Sequence, residues 1–291
     1  MSRKFDPHKI KALALDLDGT TLLPGAVLGE RTLTVLRKLI SGGMQILLAT
    51  GRAIESSEPY RSAIGAEGPM VFFNGAEVAD VPSGRILSVV LVDVDIIDFG
   101  IDVARRLGVH YQIYLPAGIS PDDGKIDPQR KWESLLIERP CPEADMYNRH
   151  TKISPIIVKD LKSVTALPGL KGCIKGMFIA DPSLHDEIRR QMNERFGSRV
   201  NIIRSLQTFL ELLNTGVSKG AGLKIAMKER GLSPEEVIAF GDEENDLSMF
   251  TEAGFSAAPS SARDNVREAA DIVFGSNADE GLALYIEETF L

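Results

Sequence analysis

Ala12-Leu13-Ala14-Leu15-Asp16-Leu17-Asp18-Gly19-Thr20 is the stretch on which the reading of this 291-residue chain turns. Its first four residues form an apolar run with no polar alternation, as in a strand buried on both faces of a parallel sheet. Carboxylates follow at once, at the strand's C-terminal end, where open α/β sheets place their ligands. Period-two geometry sends Asp16 and Asp18 to the same side if the strand continues, and Gly19 lets the backbone turn sharply after them. Like charges so close raise each other's pKa, so the pair calls for a cation or for a proton held by one member. Taken alone, Asp16 to Thr20 also reads as a plain turn that Asp and Gly initiate.

Leu33, Leu36, Leu39 and Ile40 recur at helical spacing, Gly42-Gly43 stops that helix, and Gln45 to Ala49 and Met70 to Phe73 read as the next strands. This is the βα alternation of a parallel sheet. Glu77 to Val81 and Arg85 to Leu91 flank Pro82-Ser83-Gly84 as a hairpin that leaves the first unit. A helix around Ile96 to Leu107, a strand at Val109 to Leu115 and a loop-rich stretch from Pro116 to Pro142 follow. A further helix sets Leu184, Ile188 and Met192 on one face, between strands at Lys175 to Ile179 and Val200 to Ile203. From about Ser205 the βα pattern returns, with strands at Phe209 to Leu213, Val237 to Phe240, Ser256 to Ala258 and Ile272 to Phe274. The expectation is an α/β core built from residues 1–83 and 205–291, interrupted by a separate α+β unit over residues 84–204.

Three further motifs fall at strand ends or helix starts. Gly241-Asp242-Glu243-Glu244-Asn245-Asp246 follows a buried strand and opens a helix, so Asp242 stands where an oxygen completes a magnesium shell and Asn245 and Asp246 orient ligands or waters. An acidic helix start favoured by the macrodipole is the plain alternative. Thr50-Gly51-Arg52 ends the second strand, where a hydroxyl and backbone donors can hold phosphoryl oxygens. Ser218-Lys219-Gly220 begins a helix, and Lys219 there can neutralise a nucleophile and a transferring group, although a lone lysine at a helix start is ordinarily a solvated charge.

A formal net charge of −8 with no clustered basic face excludes nucleic acid and anionic membrane as partners. It does not exclude a small phosphorylated substrate, because a bound divalent cation and one lysine invert the local field. Cys141 and Cys173 build no disulfide framework and have neither the close pairing nor the nearby histidine of a zinc site. The four histidines are too scattered for a metal centre. Met1 to Ile10 has no apolar core of signal-peptide length, and no apolar run approaches the roughly 20 residues that span a bilayer. The expected location is the cytoplasm; no exposed apolar stripe fixes an oligomeric state.

In this order and on these elements, the four motifs resemble those of the haloacid dehalogenase superfamily. Phe72-Phe73-Asn74-Gly75, Val217-Ser218-Lys219-Gly220 and the insertion after residue 84 look like its Cof-type branch, with an α+β cap between motifs. The resemblance implies a Rossmann-like core with a parallel sheet and a Mg2+-dependent phosphatase acting through an aspartyl-phosphate. By it, Asp16 is the nucleophile and Asp18 the general acid and base. Thr50 and Lys219 bind the phosphoryl group beside Gly51, and Asn74 faces the substrate. The metal is held by Asp16, the main-chain carbonyl of Asp18 and Asp242, with Asn245 and Asp246 in support. A cap closing over the site would exclude bulk water and carry most of the specificity for a small phosphorylated metabolite, such as a sugar phosphate. One departure stands out: relatives often have Met-Gly-Asn-Ala where this chain reads Ala258-Pro259-Ser260-Ser261. A phosphomutase of the same superfamily and a phospho-acceptor signalling domain draw on the same ingredients and remain open at this point.

Overall fold

The computed structural model describes residues 5–127 and 129–291. They fall into two compact units: Met1–Gly51 with Ser57–Ser88 and Ser218–Leu291, and Arg52–Ser56 with Val89–Val217.

The first unit is built on a five-stranded parallel sheet in the order Ile272–Phe274, Phe255–Pro259, Val237–Phe240, Ala12–Leu15, Gln45–Leu48. Ala12–Leu15 and Val237–Phe240 are buried along their whole lengths, as unalternating apolar runs require. Leu15 lies opposite Phe240 on one side and Leu48 on the other. Chain order reverses between Ala12–Leu15 and Val237–Phe240, so the crevice beyond their C-terminal ends is the topological switch point. The helix Lys219–Arg230 packs Leu223, Ala226 and Met227 against Ala12, Ala14, Val237 and Ala239. That packing fixes the start of the helix beside the strand tips.

Gly68–Phe72 differs from the expected third parallel strand. It joins Glu77–Val81 and Arg85–Val89 in a separate three-stranded sheet, antiparallel to Glu77–Val81, and is linked to the core strands by one parallel bridge between Ala49 and Val71.

The second unit carries a six-stranded sheet in the order Asn201–Leu206, Phe209–Leu213, Lys175–Ile179, His110–Leu115, Ser134–Ile137, Ile156–Ile157. The helices Val94–Leu107 and His185–Phe196 pack Ile97, Ile101, Ile188 and Met192 with Phe178 and Leu212 of the sheet. Two sequence expectations need correction here. Phe209–Leu213 does not return to the parallel sheet but pairs antiparallel with Lys175–Ile179 and Asn201–Leu206. Ser134–Ile137 forms a buried strand inside the stretch read as loop, because its short apolar run is masked by polar neighbours on both sides. Among the described residues, no helix is long and apolar enough to cross a membrane.

Candidate active site

Asp16 follows the last residue of the central strand, and its backbone N–H still donates to Phe240 O at 3.0 Å. Its carbonyl accepts from the Thr21 hydroxyl at 2.5 Å, which closes the turn after the strand. Gly19 sits in that turn at φ +85°, and a Cβ there would lie 2.2 Å from Asp242 Oδ2. Only glycine lets the Asp16 loop and the Asp242 loop approach so closely. Thr20 Oγ1 donates to Asp242 Oδ1 at 2.8 Å and ties the two loops directly.

Lys219 stands at the start of its helix, where the Ser218 hydroxyl caps the Ala221 N–H at 3.1 Å. Its side chain is 2% exposed and donates from Nζ to Asp16 Oδ1 at 2.6 Å and to Asp246 Oδ1 at 2.7 Å. The other oxygen of Asp246 accepts from the backbone N–H groups of Asp242 and Glu243, each at 3.0 Å. Asp246, with no exposed surface, thus aims the lysine and shapes the loop that carries Asp242. One carboxylate oxygen each from Asp16, Asp242 and Asp246 lies within 4.8 Å of the others, a spacing that suits one shared cation.

These carboxylates outnumber the ammonium. Burial pushes the Asp16 carboxyl well above the usual range; Lys219 opposes that shift, while Asp246, Asp242 and Asp18 reinforce it. Burial and then Asp246 raise Asp242 to about 7. For Lys219, burial acts downward but is outweighed by the attraction of Asp16 and Asp246, so it stays charged. Both members of the ion pair are pushed upward, Asp16 toward its neutral acid and Lys219 toward its charged form. The physical reconciliation is a cluster one cation short, in which a proton resides on the carboxylates until a metal ion displaces it.

A second chain of contacts leads away from the carboxylates. Asn74, in the left-handed region at φ 58°, donates its backbone N–H to Thr50 O at 3.0 Å and accepts from Asn245 Nδ2 at 2.9 Å. Asn245 Oδ1 is buried and has no hydrogen-bond partner among the described residues. Gly51 is close by: a Cβ there would meet Asn74 Oδ1 at 3.0 Å. Asp18 is half-buried in the turn and pairs by a parallel bridge with Leu22.

The structure therefore brings Asp16, Lys219, Asp242 and Asp246 into direct association, and joins Thr50, Gly51, Asn74 and Asn245 through backbone and amide contacts. Asp18 reaches the first group through its charge, which adds to the upward push on Asp16. Sequence reading gave no role to Thr20 or to Ser248. The Ser248 hydroxyl accepts from Gly220 N at 3.0 Å and donates to Asn245 O at 3.0 Å, locking the lysine helix to the acidic loop. Thr20 carried a signal, since it adjoins the two carboxylates and Gly19; Ser248 carried none. The departing segment Ala258–Ser261 ends the Phe255–Pro259 strand, and Ser261 Oγ donates to Asn277 Oδ1 at 3.0 Å.

The sequence pattern of the haloacid dehalogenase-like hydrolase family matches residues 13–286. The chain is 27% identical over 245 residues to the HMP-PP phosphatase of Serratia proteamaculans, covering 83% of this chain and 80% of that one. It is also 27% identical over 284 residues to a 5-amino-6-(5-phospho-D-ribitylamino)uracil phosphatase of Bacillus subtilis, covering 96% and 97%. A haloacid dehalogenase-like hydrolase from Bacteroides thetaiotaomicron shares the fold with a TM-score of 0.84 at 24% identity, covering 97% of this chain and all of that one.

Proposed function

Since this chain belongs to the haloacid dehalogenase-like hydrolases and is a phosphatase of that family, we propose that it hydrolyses a small phosphorylated metabolite, a sugar phosphate or similar phosphomonoester, with Asp16 as nucleophile. The observation that carries this reading is the buried Lys219 ammonium, 2.6 Å from Asp16 and 2.7 Å from Asp246 in a cluster with Asp242. A structural salt bridge needs one carboxylate; three around one lysine is an arrangement that costs stability unless a ligand uses it.

A divalent cation fits the residues present. The donor set is all oxygen, the carboxylates are short of positive charge, and Asn245 Oδ1, one residue before Asp246, is a buried acceptor with no hydrogen-bond partner among the described residues. Asp16, Asp242 and the main-chain carbonyl of Asp18 would hold Mg2+, with Asn245 and Asp246 supporting its ligands and waters. Bound there, the ion would neutralise charge developing on the phosphoryl oxygens.

The chain's own residues do the rest. An Asp16 oxygen attacks phosphorus in line with the departing alcohol, and Asp18 protonates the leaving oxygen. Lys219 offsets the repulsion between carboxylate and phosphate, while Thr50 and the Gly51 backbone hold the other phosphoryl oxygens and Asn74 faces the substrate. Asp18, now ionised, takes a proton from water as it attacks the acyl phosphate and frees Asp16. Asp246 keeps Lys219 in place throughout. The inserted second unit corresponds to the family's cap, and the unpaired thiols Cys141 and Cys173 fit a reducing cytoplasm.

The test is phosphate release from a panel of phosphorylated metabolites in Mg2+, run beside Asp16→Asn. Turnover by the parent chain, loss in the variant and acid-stable labelling at Asp16 in the parent are expected. Equal turnover by both proteins refutes the assignment of the nucleophile.

A further inference from the structure

The second unit holds two cysteines in unlike surroundings. Cys173 is fully buried, and burial pushes its thiol up to about 12, so it is inert. Cys141 is half-buried at the start of the helix Pro142–Thr151, where its sulfur accepts from the Ala144 N–H at 3.4 Å. Its Sγ also lies 3.1 Å from His110 Nδ1. The other ring nitrogen, Nε2, lies 3.1 Å from Gln112 Oε1. Gln112 is 1% exposed, and its amide nitrogen has no hydrogen-bond partner among the described residues. Among the described residues, the one polar contact of this buried side chain is therefore spent on the imidazole. With Gln112 Oε1 as acceptor, the ring proton sits on Nε2 and the bare Nδ1 faces the thiol. Cys141 and His110 both line a cavity of about 770 Å3 within this unit, together with Leu161 and Ile179.

We propose that Cys141 is a thiol-exchange site for small uncharged disulfides, with His110 as its base and Gln112 as the residue that positions the ring. In the exchange, Nδ1 of His110 takes the Cys141 proton as Sγ attacks one sulfur of the disulfide. An Sγ–S bond forms, the original S–S bond breaks, and the departing thiolate recovers the proton from His110. Cys141 is oxidised to the mixed disulfide, one half of the reagent is reduced to its thiol, and no proton is gained or lost overall. The cavity is far larger than a peroxide needs. Its charged lining, Glu138, Glu143 and Asp181 against Arg105 and Arg139, leans acidic and disfavours anionic reagents.

The electrostatics match a base-assisted thiol rather than a free thiolate. Burial and the neighbouring Glu143 carboxylate hold the Cys141 thiol above its ordinary value, opposed by the Ala144 N–H, so it keeps its proton near neutrality. Burial lowers His110 below 6.5 against the opposing effects of Gln112, Glu143 and Glu138, and Arg139 lowers it further, so the ring is neutral and able to accept.

The experiment treats the intact native chain with dithiodipyridine, follows thiopyridone release and maps the labelled peptide. One fast equivalent at Cys141 is expected, with Cys173 labelled only after denaturation. The wild-type rate should fall as pH drops through the His110 titration below 6.5. His110→Asn should lose that inflection and label roughly tenfold or more slowly at neutral pH. If that variant misfolds, Cys173 labelling reveals it, and Gln112→Leu then decides, since it keeps the ring but removes its acceptor and should also slow the reaction. A slower reaction with dianionic dithiobis-nitrobenzoate is expected. Absence of native labelling at Cys141, an unbroken wild-type pH profile, or unchanged rates in the folded variants would overturn the proposal. None of these readings depends on phosphatase turnover.

Discussion

Removing divalent cations and raising the pH should weaken this protein, and Asp242 sets the size of the effect. Its folded-state value of about 7, against 3.8 for an unperturbed carboxyl, means the folded chain binds this proton far more tightly than the unfolded chain does. Between those two values the folded state carries the extra proton, so stability falls as pH rises through the window, levels off above about 7 and is unaffected below 3.8. Three units at about 1.4 kcal/mol each give a ceiling of about 4 kcal/mol. Asp16 competes for the same proton, so the realised loss should be on the order of half that. The assay is urea denaturation in chelator from pH 4 to 8, comparing the parent with Asp242→Asn so that other titrating groups cancel. The asparagine retains an oxygen that can accept from Thr20 while removing the charge. The variant should show a shallower falling limb, the remainder belonging to Asp16, and be the more stable protein at pH 8, and added Mg2+ should stabilise the parent more than the variant. Parallel pH curves for the two proteins would refute the view that the cluster is short of positive charge.

Lys219→Met should lower kcat by about 10²–10³-fold, as measured by steady-state phosphate release, because the ammonium in contact with Asp16 is gone. Asp246→Ala frees both the lysine and the Asp242 loop, and cation affinity measured by titration should weaken about 10–100-fold. Gly19→Ala places a methyl group against Asp242 in a turn at φ +85°, so it should abolish turnover while the second unit keeps its thermal unfolding transition. In that second unit, Lys175 and Glu211 form an ion pair at 3.2 Å with 3% and 5% side-chain exposure. Lys175→Met should cost about 3–5 kcal/mol by denaturation, and the double variant with Glu211→Leu should regain most of it.

Much of the first unit was legible because its informative residues are contiguous. Ala12–Leu15 and Val237–Phe240 are short apolar runs that end in carboxylates, and burial on both faces makes such runs conspicuous. The partners of a strand are a different matter. Phe209–Leu213 looks the same whether it pairs parallel or antiparallel, since local composition does not encode the neighbour, and the fold pairs it with Lys175–Ile179 in the second unit. Asp246 reads from the sequence as a residue that orients a metal's ligands or waters; the fold adds that its two oxygens hold Lys219 and two backbone amides, a division of labour visible only once the loop is folded. The sequence shows no histidine near enough to Cys141 to suggest a zinc site, yet the fold sets His110, on a strand, 3.1 Å from Cys141 at a helix start.

The hydrogen bond between Asp16 and Lys219 joins positions 203 residues apart, and the strand that flanks Asp16 begins only at Val237. Contacts of such separation form late, after shorter loops have closed. During synthesis the segment between them can emerge and settle while Asp16 is still an isolated acid on an unfinished sheet. A ribosome-bound fragment that stops short of Lys219 would leave Asp16 without the ammonium that the folded chain sets 2.6 Å from it, so the later segment completes what the earlier one begins.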